Sequence, residues 1–336
     1  MVYDCFTFFN ELDLLEIRLN TLDAVVDKFV IAEATRTHTG KHKDLVFKLN
    51  QSRFARFLDK IIYVVVEDLI SEDEVAQDMY NLPWINENRQ RNALRRGVEN
   101  ASQDDIIMVS DLDEIPKPEF VNVARICLDK GDQSVRFEMD FYNYYLNFKN
   151  FSYPKWTLGT VGVKYSAFLI GDIFRGFKCD RYTQATENDG PTFNKLRFMK
   201  CSTVLRNAGW HFSFLGGIDA IQKKLAAFSH SEFSSVPRDV LERRLLEGKD
   251  LFGRVGVSFG VVLDGVFPKY VVENKTKFAH LIFPVDDFYL NKTKNARKWA
   301  KIKGLIYKMV VAMIPQFLAP LCVKMRDGVM RLMRRI

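Results

Sequence analysis

Cysteine is scarce and scattered in this chain. Cys5, Cys127, Cys179, Cys201 and Cys322 form no CxxC pair and have no histidine at ligand spacing. That excludes a thiolate zinc site and a disulfide framework, and reads as reduced structural thiols in a cytosolic protein. The N-terminal MVYDCFTFFNELD has neither a basic n-region nor an apolar h-region, so no signal peptide is expected. Internal repeats and low-complexity linkers are also missing. A net positive charge is absent from most of the chain too: twelve basic residues against the single acid Asp327 follow from Lys292 onward, giving that segment +11 of the overall +7 and leaving residues 1–291 at −4. A mildly acidic body argues against a broad nucleic-acid surface.

Aromatic residues are abundant, with 28 Phe and 12 Tyr. They suit a large core first and stacking against sugar faces second. The 336 residues allow one large α/β domain with insertions. Short apolar runs at Val2–Phe9, Lys28–Ala34, Ile61–Val66 and Ile106–Val109 read as buried strands. Helical stretches separate them: Glu11–Leu22, with leucines at 12, 15, 19 and 22, and the polar Gln77–Asn100. Strands alternating with helices indicate parallel βαβ units and a doubly wound, mostly parallel α/β sheet. Ligands of such sheets sit at the carboxyl ends of the strands, which points to Asn10–Glu11, Glu33–Thr35, Glu67–Asp68 and Ser110–Glu114.

Farther on, Ser134–Leu146 alternates like a strand, and Asn207–Phe214 runs through Gly216-Gly217 into a helix over Ile218–Phe228. Pro237–Gly248 is a second amphipathic helix, opened by Pro and closed by Gly. The expected organisation is a catalytic domain over 1–290 and a basic helical tail over 291–336. Within that tail Leu305–Val323 is apolar but carries Lys308 and is broken by Pro315 and Pro320. Flanking basic clusters favour an interfacial segment, attached peripherally to the cytoplasmic face of a membrane, where a lipid-linked acceptor would lie.

Asp111, Asp113 and Glu114 follow an apolar strand and precede the rigid IPKP exit. Three carboxylates within four residues repel one another unless a cation or basic group compensates. Hard oxygen donors suit Mg²⁺ or Mn²⁺, which also bridge diphosphate oxygens. A solvated acidic turn is the bland alternative. Haloacid-dehalogenase phosphatases share a strand-end DxD but need a Thr where this chain has Ile115.

Five blocks in order resemble glycosyltransferase family 17, the β-1,4-mannosyl-glycoprotein β-1,4-N-acetylglucosaminyltransferase family. They are YDCFTFFNELDLLEIRLNTL, VVDKFVIAEA, RQRNALRRG, SDLDEIPKPEF and AGWHFSFLGGIDAIQKKL, collinear over roughly residues 3–255. The resemblance implies a GT-A-type fold with a mixed acceptor-side region, a UDP-sugar donor (UDP-GlcNAc), Mn²⁺ dependence and inversion at the anomeric carbon. Asp111 and Asp113 align with the family's metal pair, Arg91 and Asn92 with its RN pair, and Trp210-His211 with a segment whose histidine is read as a third metal ligand. The family's glycoprotein acceptor is not carried over, because no signal anchor is expected here.

Glu33, at a strand end, is read as accepting hydrogen bonds from uracil or ribose. Arg91 is read as neutralising diphosphate or holding Asp111. An inverting transfer needs a general base, and Asp219, Glu138, Asp140 and Asp189 are candidates. Asp219 is preferred, since a Glu aligns there in the animal enzymes, although the helix dipole would lower its basicity. A catalytically silent nucleotide- or sugar-binding protein of the same fold is the alternative function.

Overall fold

A computed structural model describes residues 1–74, 82–171, 192–227, 236–254, 256–262 and 267–284. The 291–336 tail and Asp189 lie outside the described residues. The chain starts with β1 (Val2–Phe8), α1 (Leu12–Leu22), β2 (Lys28–Ala34), α2 (Val46–Leu49), β3 (Ile61–Val66), α3 (Leu82–Ala93) and β4 (Ile106–Asp111). It continues through β5 (Glu114–Pro116), α4 (Pro118–Asp129), β6 (Val135–Phe137), β7 (Met139–Asn143), β8 (Phe148–Asn150), β9 (Lys155–Trp156) and β10 (Val161–Lys164). After these come α5 (Tyr165–Ile170), α6 (Phe193–Phe198), β11 (Thr203–Leu205), β12 (Gly209–Ser213), α7 (Gly217–Ala227), α8 (Arg238–Leu246), β13 (Phe259–Val261) and α9 (Lys269–Glu273).

Two sheets carry the architecture. The first has the order β11-β6-β10-β4-β1-β2-β3 and the second β13-β8-β7-β12-β5. In the first, β4, β1, β2 and β3 pair in parallel, while β10 runs antiparallel between β4 and β6. This is the expected α/β doubly wound sheet with a mixed region beside it. Central parallel strands are buried on both faces, which is why they read as nearly continuous apolar runs. Tyr3 and Cys5 of β1 pack with Ala93 and Leu94 and with Phe193 and Leu196 of α6. On the opposite face, Val2, Phe6 and Phe8 pack with Leu15, Ile17 and Leu19 of α1 and with Met139, Trp210 and Phe212 of the second sheet.

Two expectations change. The alternating run Ser134–Leu146 is not one strand, because the chain crosses between sheets at Glu138. Its first part, β6, pairs with β10 and β11, and its second, β7, pairs with β8, β9 and β12. Of the polar stretch read as a helix over Gln77–Asn100, residues 77–81 lie outside the described residues, and the rest is helical over Leu82–Ala93 and tightens to a 3₁₀ turn at Leu94–Gly97. Several of its polar residues are buried, although Arg89 is exposed. Gln90 donates through Nε2 to the carbonyls of Phe8 (3.2 Å) and Ala32 (3.0 Å), and Asn86 pairs with both backbone groups of Ile70. Donors from this helix thus reach backbone carbonyls of β1 and β2, where a buried group without a partner would be costly.

Candidate functional site

Strand direction sets which way each aspartate faces. Asp111 aligns with Thr7 of β1, as Val109 does with Cys5, so its side chain falls on the α3 and α6 side of the sheet. There Arg91 of α3 donates to its carboxylate at 3.0 Å, and Arg197 of α6 lies 3.6 Å away. Asp113, past the turn, faces the other layer. His211 Nε2 of β12 lies 3.4 Å from its Oδ1, and Lys224 Nζ of α7 lies 3.3 Å from its Oδ2. The two carboxylates of one short turn are thus compensated by different layers.

The turn itself is clamped from below. Arg18 of α1 is fully buried and pairs with Asp4 of β1 at 2.6 Å and 2.8 Å. Its remaining donors reach the carbonyls of Asp111 (3.0 Å), Leu112 (3.0 Å) and Glu114 (2.8 Å), and Ser110 Oγ (2.6 Å). The Phe212 amide takes the Asp113 carbonyl at 2.8 Å. Each carbonyl from 111 to 114 therefore has a donor, which fixes where both carboxylates point. Glu114 looks away from solvent: it is buried, accepts from Trp156 Nε1 at 2.5 Å, and pairs with Arg197.

Glycine permits the close approach on the second-sheet side. A Cβ on Gly209 would sit 2.5 Å from the Ile115 carbonyl, so β12 can press against β5 and set His211 opposite Glu114. The His211 ring stacks on Phe141 (centroids 4.8 Å apart, planes within 1°) and touches Trp156 at 4.5 Å.

Asp111, Asp113, Arg91, Arg197, His211, Lys224 and Trp156 line one cavity of about 380 Å³, with Thr7, Phe8 and Phe9 at the end of β1, Arg36, Thr37, His38 and Lys43 after β2, and Asn143 and Ser213 beyond His211 on β7 and β12. Burial raises the carboxyl pKa of Asp111, but the charges of Arg91 and Arg197 outweigh it and bring the group to about 2. Asp113 is likewise driven well below the carboxylate range, because Lys224 and His211 overcome its desolvation. Glu114 moves up, since desolvation there exceeds the pull of Arg197. Burial lowers the imidazole pKa of His38, leaving that ring neutral near pH 7. The Lys224 ammonium is held above its ordinary range by Asp113 and Glu11 against its desolvation.

The residues singled out in the sequence separate into two groups. Asp111, Asp113, His211 and Arg91 come together on the cavity wall. Glu33 does not reach it: its carboxylate is fully buried and accepts from the Phe47 amide (3.1 Å), Tyr63 Oη (2.8 Å) and Lys43 Nζ (3.2 Å), so it holds the loop that delivers Lys43. Asn92 also turns away, accepting from the Asn194 amide at 2.9 Å and so anchoring α6, which carries Arg197. Asp219 is a correction. Its side chain is 74% exposed and pairs with Arg238 on the outer side of α7, away from the cavity that Lys224 of the same helix faces. Asp140 is tied to Lys149 and Lys155, both at 2.7 Å, and neither it nor Glu138 lines the cavity.

Sequence reasoning missed Arg18, Arg197, Lys224, Trp156 and Asn143. Arg18 left one signal, a charge spaced with Leu15 and Leu22 on the apolar stripe of α1. The others depend on pairing between distant segments.

Whether the residues fit a divalent cation follows from their chemistry. Two carboxylates and an imidazole are a suitable hard donor set. The His211–Asp113 separation of 3.4 Å is long for a hydrogen bond, yet one that two ligands of a single ion can take. His211 Nδ1 is buried with no partner. Among the described residues no group of three or more His, Cys, Asp or Glu side chains forms a complete cage. Magnesium-type ions are commonly held by one or two carboxylates plus substrate phosphates, so the residues fit that mode.

An acidic pair ringed by arginine and lysine stands at the carboxyl ends of a doubly wound sheet, where such sheets bind their ligands. Residues 1–163 match the family model described as Glycosyltransferase family 17. Curated relatives from Homo sapiens and Mus musculus, each a beta-1,4-mannosyl-glycoprotein 4-beta-N-acetylglucosaminyltransferase, are 25% identical over 297 residues, covering 81% of this chain and 53% of the relative. The chain thus spans about half the length of the curated relatives it matches. Among solved structures, a protein described as a nucleotide-diphospho-sugar transferase from Desulfovibrio desulfuricans G20 is similar at 12% identity and a TM-score of 0.34, over 72% of this chain and 94% of that one. A 4-diphosphocytidyl-2C-methyl-D-erythritol synthase from Anaerococcus prevotii DSM 20548 is similar at 11% and 0.33, over 62% and 87%.

Proposed function

We propose that this chain is a metal-dependent, inverting glycosyltransferase that moves a sugar from a UDP-sugar to a hydroxyl of a glycan acceptor. GlcNAc is the sugar favoured by the activity named for its curated relatives. The observation that supports the reading is the meeting of Asp111, Asp113 and His211 with Arg91, Arg197 and Lys224 on one cavity wall.

Mn²⁺ or Mg²⁺ held by Asp111, Asp113 and His211 would supply charge neutralisation for the departing diphosphate. Arg91, Arg197 and Lys224 are placed to take up the negative charge that grows on the diphosphate as the anomeric bond breaks. The acceptor oxygen attacks the anomeric carbon, UDP leaves from the opposite face, and the hydroxyl proton passes to a carboxylate. With Asp219 outside the cavity, Glu11 and Glu87 are the described lining carboxylates available for that proton. Each is paired in this structure, Glu11 with Lys224 and Glu87 with Arg91. Release of either cation to the diphosphate would free its carboxylate to act as base.

A second reading has its own support. Both aspartates are already paired with cations, and the described residues form no three-donor cage. In that reading the arginines and lysine hold the diphosphate without metal. Thermal shift and donor hydrolysis across a panel of UDP- and GDP-sugars, with Mn²⁺ and with EDTA, test both. Stabilisation by UDP-sugars that requires Mn²⁺ supports the first reading, and no response to any nucleotide sugar sinks both. Peripheral membrane contact through the basic 291–336 segment is a further proposal, tested by sedimentation of the full chain with anionic liposomes.

A further inference from the structure

Among the described residues the buried side-chain atoms without a hydrogen-bond partner are Arg91 Nε, Arg197 Nε, His211 Nδ1 and Asn143 Oδ1, and all four belong to residues lining the cavity. The first three belong to the cation and diphosphate end. Asn143 has no place in the chemistry described so far. A buried carbonyl oxygen left without a donor is costly in a folded protein and needs a reason.

Its position supplies one. Asn143 ends β7 and pairs with Ser213, the last residue of β12, as Phe141 pairs with His211 two residues earlier. Side chains two apart on a strand share a face, about 7 Å apart. Asn143 and Ser213 therefore stand one sugar-ring length beyond His211, on the same cavity wall. Both strands then leave the wall in the same unusual way: Tyr144 has φ 71° and Phe214 φ 53°. Bulky residues seldom adopt this left-handed conformation, and held strain of this kind concentrates at ligand sites. Here it turns both chains away immediately after Asn143 and Ser213, leaving those two side chains at the strand ends.

We infer that Asn143 is a specificity-determining residue for the transferred sugar, accepting through Oδ1 a hydrogen bond from a ring hydroxyl or an acetamido N–H. This rests on the nucleotide-sugar reading above. The sugar is bonded directly to the diphosphate, so a group one ring beyond the diphosphate end meets the sugar and leaves the nucleotide untouched.

The test is calorimetric titration of UDP and of UDP-GlcNAc, each with Mn²⁺, into wild type and Asn143→Ala. UDP affinity stays within about twofold of wild type, whereas UDP-GlcNAc weakens about tenfold, the effect of one lost hydrogen bond. Equal affinities of the variant and wild type for UDP-GlcNAc overturn the inference. So does an equal loss for both ligands, and so does unchanged donor binding with a raised acceptor KM, which would assign Asn143 to the acceptor. Failure of wild type to bind UDP at all would instead reject the nucleotide-sugar reading, a distinguishable result. Should Asn143→Ala not fold, Asn143→Leu is close in volume, lacks the acceptor, and carries the same comparison.

Discussion

The parallel strands β4, β1, β2 and β3 and the smaller sheet around β12 meet at the acidic turn, and they contribute to it differently. The first region presents Asp111 to α3, which precedes β4 in the chain, and to α6, which comes from much farther along it. The second presents His211, Asn143 and Trp156 through pairings across long separations, β12 with β5 and β7, and β9 with β7. A site assembled from both has one aspartate answering to each region. Arg18 joins them, since it grips β1 through Asp4 and the turn through three carbonyls.

Removing that joint should have the largest effect. Arg18→Met leaves Asp4 buried without its partner, a loss of about 3–5 kcal/mol in chemical denaturation. Adding Asp4→Leu should recover part of it, because a buried pair replaced by apolar groups is often near neutral. No recovery would mean that the carbonyl contacts carry most of the clamp. Next in size is Asp113→Asn, which should cut transfer by about 10²–10³ with the fold retained, the scale of losing one charge-stabilising group at a reaction centre. Circular dichroism and initial rates check it. Activity near wild type would detach the second region from the chemistry.

The contrast also explains what was legible in the sequence. The ranges of β2 and β3 agree with their apolar runs, nearly continuous in the central, buried β2 and unbroken in the half-buried edge strand β3. Asp111 and Asp113 stand out because three carboxylates crowd one turn. Lys224 and Arg197 do not, because nothing local distinguishes a lysine in an amphipathic helix from one that reaches an aspartate 111 residues away. Asp219 misled for the same reason: it shares α7 with Lys224, and only the packing of that helix decides which residue faces inward. Nothing local in the polar run of α3 shows that the amides of Asn86 and Gln90 turn inward to backbone groups.

Smaller effects sharpen the same division. Asp219→Asn should change transfer less than about twofold, because loosening an exposed ion pair has little consequence. A loss of activity as large as that of Asp113→Asn would return Asp219 to the chemistry. On the α1 side, burial raises the pKa of Glu16, but Lys277, Tyr270 and Arg53 overcome it and leave the group below its ordinary value. A depressed carboxyl contributes stability that is present above its unfolded pKa of about 4.3 and lost as pH falls through the folded value. Glu16→Gln should therefore lower stability near pH 7 and flatten its fall below about pH 4.3. A parallel pH curve for the variant would show that Glu16 is not the linked group.

The most direct measurement of the central claim is UDP binding by calorimetry with Mn²⁺ and with EDTA, on wild type and on Asp113→Asn. The account requires binding in Mn²⁺ that weakens at least about 100-fold in EDTA and comparably in the variant. Equal affinity in EDTA and in Mn²⁺ would contradict it, and would leave the diphosphate to Arg91, Arg197 and Lys224 alone.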